Sequence, residues 1–332
     1  MIFSKIRGMK ETFVVLLFLI FIYLFLFSEN IKDLFTKYIP NDFFNVNTIF
    51  LSIVLEAIPF ILIGVFASAL IQSFVSEKTI QKILPRHAFL AMIPASLLGV
   101  IFPICECAII PIARRLIKKG LPQHVGIVFM LTVPILNPVV FLSTYYAFQN
   151  DHVILYVRMG LAFVVAIIVG SMIYLLFHNK NILKHALPFE QNHFSTVRKN
   201  RLGEVFKHAS DEFFDTGKFL IIGALCASFF QTFLDRSLLV SIGTNETAAP
   251  AVMMGFSYVL SLCSEADAFV ASSFHNTFTM GSLIAFLVMG PMLDIKNTIM
   301  LFAYFRMKFV ISLMVITIVT IYGLSRLVDI LL

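Results

Sequence analysis

Nine apolar runs follow one another along the chain, over residues 12–27, 49–75, 88–112, 122–148, 153–177, 213–235, 249–272, 279–304 and 309–330. Most are near the ~20 residues that a helix needs to cross the hydrocarbon core of a bilayer. A soluble fold does not bury nine such runs. Charged residues make up 13% of the chain and mean hydropathy is +0.92, against roughly 25% charged in soluble domains. Barrel strands would be about ten residues long with alternating polarity, and no such pattern is present. The fold class expected is an all-α polytopic membrane protein with eight or nine hydrophobic segments.

The net charge of +6 has a simple source, an excess of Lys and Arg on cytoplasmic loops. No basic-aromatic module points to nucleic acid. Cys105, Cys107, Cys226 and Cys263 all lie in apolar stretches, so no extracellular disulfide framework is implied. Lys5, Arg7 and Lys10 precede the first apolar run, and Ser28-Glu29-Asn30 follows it in place of a small-residue cleavage site. That pattern reads as an uncleaved first span with a cytoplasmic amino end.

The chain divides into an N-terminal helix and loop over 1–45, a first repeat over 46–177, a basic linker over 178–211 and a second repeat over 212–332. Phe60-Ile-Leu-Ile-Gly64 with Gln72-Ser-Phe answers Phe219-Leu-Ile-Ile-Gly223 with Gln231-Thr-Phe. Cys105-Glu106 answers Cys263-Ser-Glu265, and Val133-Pro134-Ile-Leu-Asn137 answers Gly290-Pro291-Met-Leu-Asp294. Loop charges orient the halves. Loop 28–48 carries Glu29, Asp33 and Asp42 against Lys32 and Lys37, whereas loop 76–88 carries Lys78, Lys82 and Arg86 against Glu77. Arg114, Arg115, Lys118 and Lys119 follow the run 88–112 directly, and they stay inside if that run is broken and re-entrant, as the positive-inside rule prefers; a full span followed by an interfacial basic helix is the alternative. With 249–272 re-entrant as well, and 122–148 exiting as one span, the halves are inverted repeats. Broken helices at the interface of inverted repeats are the architecture of many secondary transporters.

Three stretches carry candidate chemistry. In Pro103-Ile-Cys105-Glu106-Cys107-Ala-Ile-Ile-Pro111, each proline interrupts a helix. Unwound backbone at membrane depth survives only inside protein or beside a water-filled cavity. Glu106 in such a place is a functional-site candidate. Cys105 and Cys107 offer soft sulfur suited to thiophilic metals, the alternative being two ordinary buried cysteines. The second-half counterpart sets Cys263, Glu265 and Asp267 in an apolar run, with His275 after it. Two residues apart on a helix diverge by about 200°, so Glu265 and Asp267 share a cavity only if the helix breaks there. Thirdly, Gly290-Pro291 is expected to break the run 279–304, setting Asp294 and Lys296 near mid-membrane. Each charge there costs about 2.5–3.5 kcal/mol on insertion scales, and the two are positioned to pair. Asn137 is the uncharged first-half match. Gln72 and Gln231 are placed to hydrogen-bond across the repeats. An intramembrane enzyme using His275 with Ser264 or Ser272 is the other class to weigh, although no His-Glu-x-x-His or Gly-x-Ser-x-Gly signature occurs. No P-loop is present and no cofactor is implied.

Cys105-Glu-Cys-Ala-Ile-Ile-Pro-Ile-Ala-Arg-Arg with Gly120-Leu-Pro, the run Pro134-Ile-Leu-Asn-Pro138, and Gly290-Pro-Met-Leu-Asp-Ile-Lys-Asn297 together resemble the ArsP/YraQ-like family of predicted permeases, and its YcgR-type branch in particular. The resemblance covers residues 45–330. It implies a plasma-membrane permease, in one branch exporting trivalent organoarsenicals such as methylarsenic. The YcgR-type branch implies instead a small membrane-anchored partner protein and a zinc-related role. Under either, Cys105 and Cys107 would bind substrate or metal, and Glu106, Glu265, Asp267 and Asp294 would bind cations or relay protons.

Overall fold

The computed structural model describes residues 41–74, 89–101, 104–149, 151–178, 180–184, 201–233 and 247–332. The expected first span at 12–27 lies outside them. The chain divides at Thr48. The described part of the first unit is helical from Asn41, and all that follows concerns Ile49–Leu332.

The described residues are helical, apart from short connections and one isolated bridge between Leu183 and Phe305. In chain order they form α1 (Asn41–Phe74), α2 (Met92–Ile101), α3 (Glu106–Lys118), α4 (Gln123–Thr132), α5 (Pro138–Ala147), α6 (His152–Phe177), α7 (Arg201–Phe233), α8 (Ala249–Leu260), α9 (Asp267–Ser272), α10 (Met280–Met292), α11 (Ile295–Tyr304) and α12 (Met307–Leu331). Among the described residues five stretches are long and apolar enough to cross a membrane: Asp42–Leu70, His152–Phe177, Glu212–Phe233, Met280–Tyr304 and Met307–Leu331. The others are shorter helices meeting at breaks, and Met280–Tyr304 is itself broken between α10 and α11.

Local chemistry sets the breaks. Pro134 and Pro138 bracket the first, and the residue before a proline is pushed out of the α region. Asn137 then restarts the chain as the cap of α5: its Oδ1 accepts from Val139 N at 2.8 Å and Val140 N at 2.9 Å, with Pro138 at the first helical position, where a missing N–H costs nothing. The run 122–148 is therefore two helices, not the single exiting span expected. In the run 279–304, Gly290 and Pro291 stay inside α10, and the break falls at Leu293, three residues beyond Gly290. Asp294 captures the new N-terminus, its Oδ1 accepting from Asn297 N at 2.6 Å. A side-chain acceptor able to restart a helix decides the position of the break more than the proline does. Ser261, with φ 47° and ψ 40°, ends α8 in the left-handed region. Between α3 and α4, Gly120 takes φ 94°, while Leu121 N bonds Leu116 O and Gly120 N bonds Ile117 O at 3.0 and 3.1 Å. This is the paired closure of a Schellman turn, which glycine adopts without strain.

Of the span Met280–Tyr304, 94% of the most apolar window is buried within the protein, against 22–39% for the other four. The α10–α11 pair is thus the central element. Helices α4, α6, α8 and α12 pack on α10, while α3 and α7 pack on α11. The outer helices turn large apolar side chains outward, among them Leu62, Ile63, Leu175, Phe230 and Val319. An apolar exterior of that extent belongs in lipid. Basic ends cluster too. Arg115 holds Glu212 of α7 with an Nη2–Oε2 distance of 2.8 Å, and Lys184 N and Arg306 N tie residues 182–184 to the α11–α12 junction at 3.0 and 2.9 Å. Helix α7 begins at Arg201, within the basic stretch 178–211.

Helix α7 crosses α11 at Gly223, where a Cβ would stand 2.8 Å from Lys296 Cα. That neighbour is backbone and cannot rotate away. Gly223→Ala is expected to destabilise the protein by about 1–3 kcal/mol, the range for overpacking a close-packed contact. Thermal unfolding in detergent would measure it, and an unchanged midpoint would contradict the crossing.

Candidate functional site

The three sequence stretches meet at the centre of the molecule. Cys105 caps α3 in an extended conformation, leaving Glu106 and Cys107 in its first turn. Glu106 is 1% exposed. An acid at a helix N-terminus is favoured by the dipole, but burial this deep requires partners. Two reach it from the second half: Lys296 Nζ donates to Oε1 at 3.2 Å, and Ser264 Oγ donates to Oε2 at 3.2 Å. Lys296 Nζ also lies 3.4 Å from Asp294 Oδ2, so the expected Asp294–Lys296 pairing is present and Lys296 serves two acids.

A second buried pair stands beside the first. Arg158 of α6 donates through Nη2 to both oxygens of Asp267, at 2.9 and 2.8 Å, and to the Ser264 carbonyl at 3.2 Å. Its Nη1 donates to Thr144 Oγ at 2.7 Å. Arg158 and Asp267 are 0% and 2% exposed. Ser264 thus joins the two pairs, one through its hydroxyl and the other through its carbonyl. Both pairs link a residue before the linker to one after it: Glu106 to Lys296, Arg158 to Asp267.

The thiols adjoin this network. Cys105, Cys107 and Cys263 share one buried cluster with Ala57, Ile61, Val65, Ala108 and Leu220. Cys263 donates to Glu265 Oε2 at 3.2 Å. Glu56, midway along α1 and exposed, lies within electrostatic reach of Glu106, Lys296 and Cys263. Three acids, Glu56, Glu265 and Glu106, therefore step inward from an exposed position to a buried one, flanked by three thiols.

Several expectations are met and others are not. The chain is broken over 261–266, yet Glu265 and Asp267 do not share a cavity: Glu265 faces Cys263 and Asp267 faces Arg158. Asn137 is buried, but its carboxamide oxygen is committed to capping α5. Gln231 donates to the Leu260 carbonyl; the side chain of Gln72 lies outside the described residues. His275 stacks edge-on against Phe148 at 6.0 Å, and Ser272 donates to Phe269 O at 2.8 Å, so no Ser–His pair forms from these residues. Among the described residues no group of three or more His, Cys, Asp or Glu is arranged to hold a metal ion; Cys105 and Cys107 offer sulfur alone. Sequence reading missed Arg158 and Glu56. Each is a charge inside an apolar run, and the cost of a charge in lipid was the signal available.

Apolar outer helices around an almost wholly buried broken helix, with ion pairs at its centre, define a multi-pass membrane protein of permease type. A family model described as "Predicted permease" matches residues 42–329, and the chain belongs to that ArsP-type family, a transporter rather than an enzyme. It is 50% identical over 288 residues to UPF0718 protein YcgR of Bacillus subtilis strain 168, covering 87% of this chain and 98% of that protein. It is 37% identical over 277 residues, 83% of this chain and 92% of the relative, to a Streptococcus mutans protein named as a subunit of a two-component membrane permease complex. No solved structure matches the chain.

Proposed function

We propose that the chain is a secondary transporter of the bacterial inner membrane that exports a thiophilic metal, metalloid or trivalent organoarsenical such as methylarsenic. One observation carries this reading: Cys105, Cys107 and Cys263 sit together beside Glu106, Glu265 and Glu56 at a helix break. Soft sulfur captures a thiophilic species, and carboxylates with Lys296 hold or exchange its charge. Cys105 and Cys107 bind substrate, with Cys263 as third thiol; Glu106, Glu265, Asp267 and Asp294 bind cations or relay protons. Asn137 shapes the corresponding break in the first half.

The transporter is built of inverted repeats, 46–177 and 212–332, after an N-terminal helix and loop over 1–45 whose amino end is cytoplasmic, and joined by the cytoplasmic linker 178–211. Element order supports this. Long α1, short α2 and α3, the broken pair α4–α5 and long α6 parallel α7, α8 and α9, α10–α11 and α12. One helix crossing recurs: a Cβ on Gly99 would stand 2.9 Å from Val133 Cα, and one on Gly290 would stand 2.5 Å from Ser257 Oγ. Ser257 occupies the place of Gly99 when Cys263 is set on Cys105, and Gly290 that of Val133 when Pro291 is set on Pro134. The stretch 28–48 at the start of the first repeat carries three acids against two lysines, whereas the stretch before α7 carries Lys180, Lys184, Arg198 and Lys199 against Glu190, an asymmetry of the kind inversion requires.

A second reading, in which the chain is one subunit of a two-component complex, is favoured by the name of the Streptococcus relative. The small membrane-anchored partner and the zinc-related role in that reading come from the resemblance to the YcgR-type branch. The same site would serve. Zinc and methylarsenite sensitivity, with cell-associated content by mass spectrometry, tests both in cells carrying the intact chain or Cys105→Ser/Cys107→Ser. A shift in one element with the intact chain, lost in the double variant, supports thiol-lined transport and identifies the substrate class. A response that requires a co-expressed partner favours the complex. No response of either element, with or without a partner, defeats the thiophilic reading.

A further inference from the structure

At the junction of α10 and α11 three buried side-chain oxygens are short of donors: Asn297 Oδ1 has no hydrogen-bond partner, Asp294 Oδ2 faces only the shared Lys296 ammonium at 3.4 Å, and Thr298 Oγ has only the Tyr258 side chain beside it. Their residues are 0%, 3% and 5% exposed. They are close neighbours. Asp294 caps α11 by accepting from Asn297 N, and positions three and four along a first turn lie on the same side as the cap. The Tyr258 side chain lies beside Thr298 and within electrostatic reach of Asp294. Buried acceptors short of donors are rare and costly, and three within five residues, with one ammonium divided between two carboxylates, point to a missing electropositive group.

The surrounding backbone has the same polarity. Helix α8 ends here, where Ser261 Oγ accepts from Ile295 N at 3.2 Å, and α10 ends at Met292, two residues before Asp294. Each helix C-terminus leaves carbonyls without intrahelical partners and carries partial negative charge. Charge balance agrees: Glu106 and Asp294 share the single ammonium of Lys296, so two buried carboxylates face one cation. The group that completes the balance carries one positive charge. The donors are all oxygen, which suits a hard cation rather than a thiophilic one, and discontinuous helix ends with unwound backbone form coupling-ion sites in secondary transporters.

We propose that the α10–α11 junction binds Na⁺ through Asp294, Asn297 and Thr298, as the coupling ion of the permease. The role as coupling ion rests on the transport reading above; the binding site does not. With Na⁺ on Asp294 Oδ2, Lys296 is left to Glu106 alone, so occupancy of the oxygen site is felt at the carboxylate beside the thiols.

The test is thermal unfolding of the purified full chain in detergent, without substrate metal, at constant ionic strength with choline, K⁺ or Na⁺ as the cation. Na⁺ is expected to raise the midpoint saturably, K⁺ less and choline not at all. Thr298→Val, which keeps shape and removes the oxygen, and Asn297→Ala are expected to lose the response, while Asn297→Asp keeps it. Equal midpoints in Na⁺ and choline, equal midpoints in Na⁺ and K⁺, or a full Na⁺ response in Thr298→Val would each overturn the proposal. Should Asn297→Ala not fold, the Thr298→Val and Asn297→Asp comparison decides. A Na⁺ response in a chain that moves no metal would leave the site standing without the transport reading, and its absence in a chain that does move metal would have the opposite meaning.

Discussion

Arg158→Met is expected to be among the most damaging substitutions in the chain, at about 3–5 kcal/mol, the range for removing one partner of a buried ion pair. The reason is what it leaves behind. Asp267, 2% exposed, would lose both guanidinium bonds, and the Ser264 carbonyl and Thr144 hydroxyl would each lose a donor. The α9 start would no longer be tied to α6. Arg158→Met/Asp267→Leu removes the stranded charge and is expected to recover much of the loss, because replacing both members of a buried pair by apolar groups is often neutral. Folded yield and unfolding midpoint in detergent measure both. A double variant as unstable as the single would show that the geometry of the pair, not its charge, holds the two halves together.

Lys296→Met is expected to rank beside it and to act on function as well as stability. Glu106 and Asp294 would lose their shared cation, leaving two carboxylates buried in one site. We expect a loss of about 3–5 kcal/mol, together with loss of transport. Lys296→Met/Glu106→Gln returns the site to the net charge of the intact chain with Asp294 as the one carboxylate left without a cation, and should regain part of the stability without regaining transport, since the carboxylate next to Cys105 and Cys107 is gone. Stability and transport measured on the same preparations separate the two effects. If the double variant transports as the intact chain does, Glu106 and Lys296 are structural.

Much of this centre was legible in the sequence, because charges and prolines in apolar runs are physically expensive and so stand out. Glu106, Asp294 and Lys296 were legible on that ground, and so was the pairing of the last two. The proposal of two halves rests on the spacing of Gly64 to Gln72 and Gly223 to Gln231. Other features depended on tertiary placement. Arg158 is an isolated charge in a long span, and nothing local says that Asp267 lies opposite it. The break at Leu293 depends on a cap that forms only when the chain has already turned at Asp294. The run 122–148 read as one span because its apolar length hid the competition between Pro134–Pro138 and helix continuity. Ser264 was weighed as a nucleophile, and its use as a bridge between two ion pairs is visible only once both halves are folded together.

The central claim is tested most directly by reconstituting the purified chain into sealed liposomes with and without an imposed ion gradient and measuring movement of Zn²⁺ and methylarsenite across the membrane by mass spectrometry. The account predicts gradient-dependent movement of at least one of them, abolished in Cys105→Ser/Cys107→Ser while the variant remains folded. Movement of neither under any gradient, with the chain folded and correctly inserted, would contradict it.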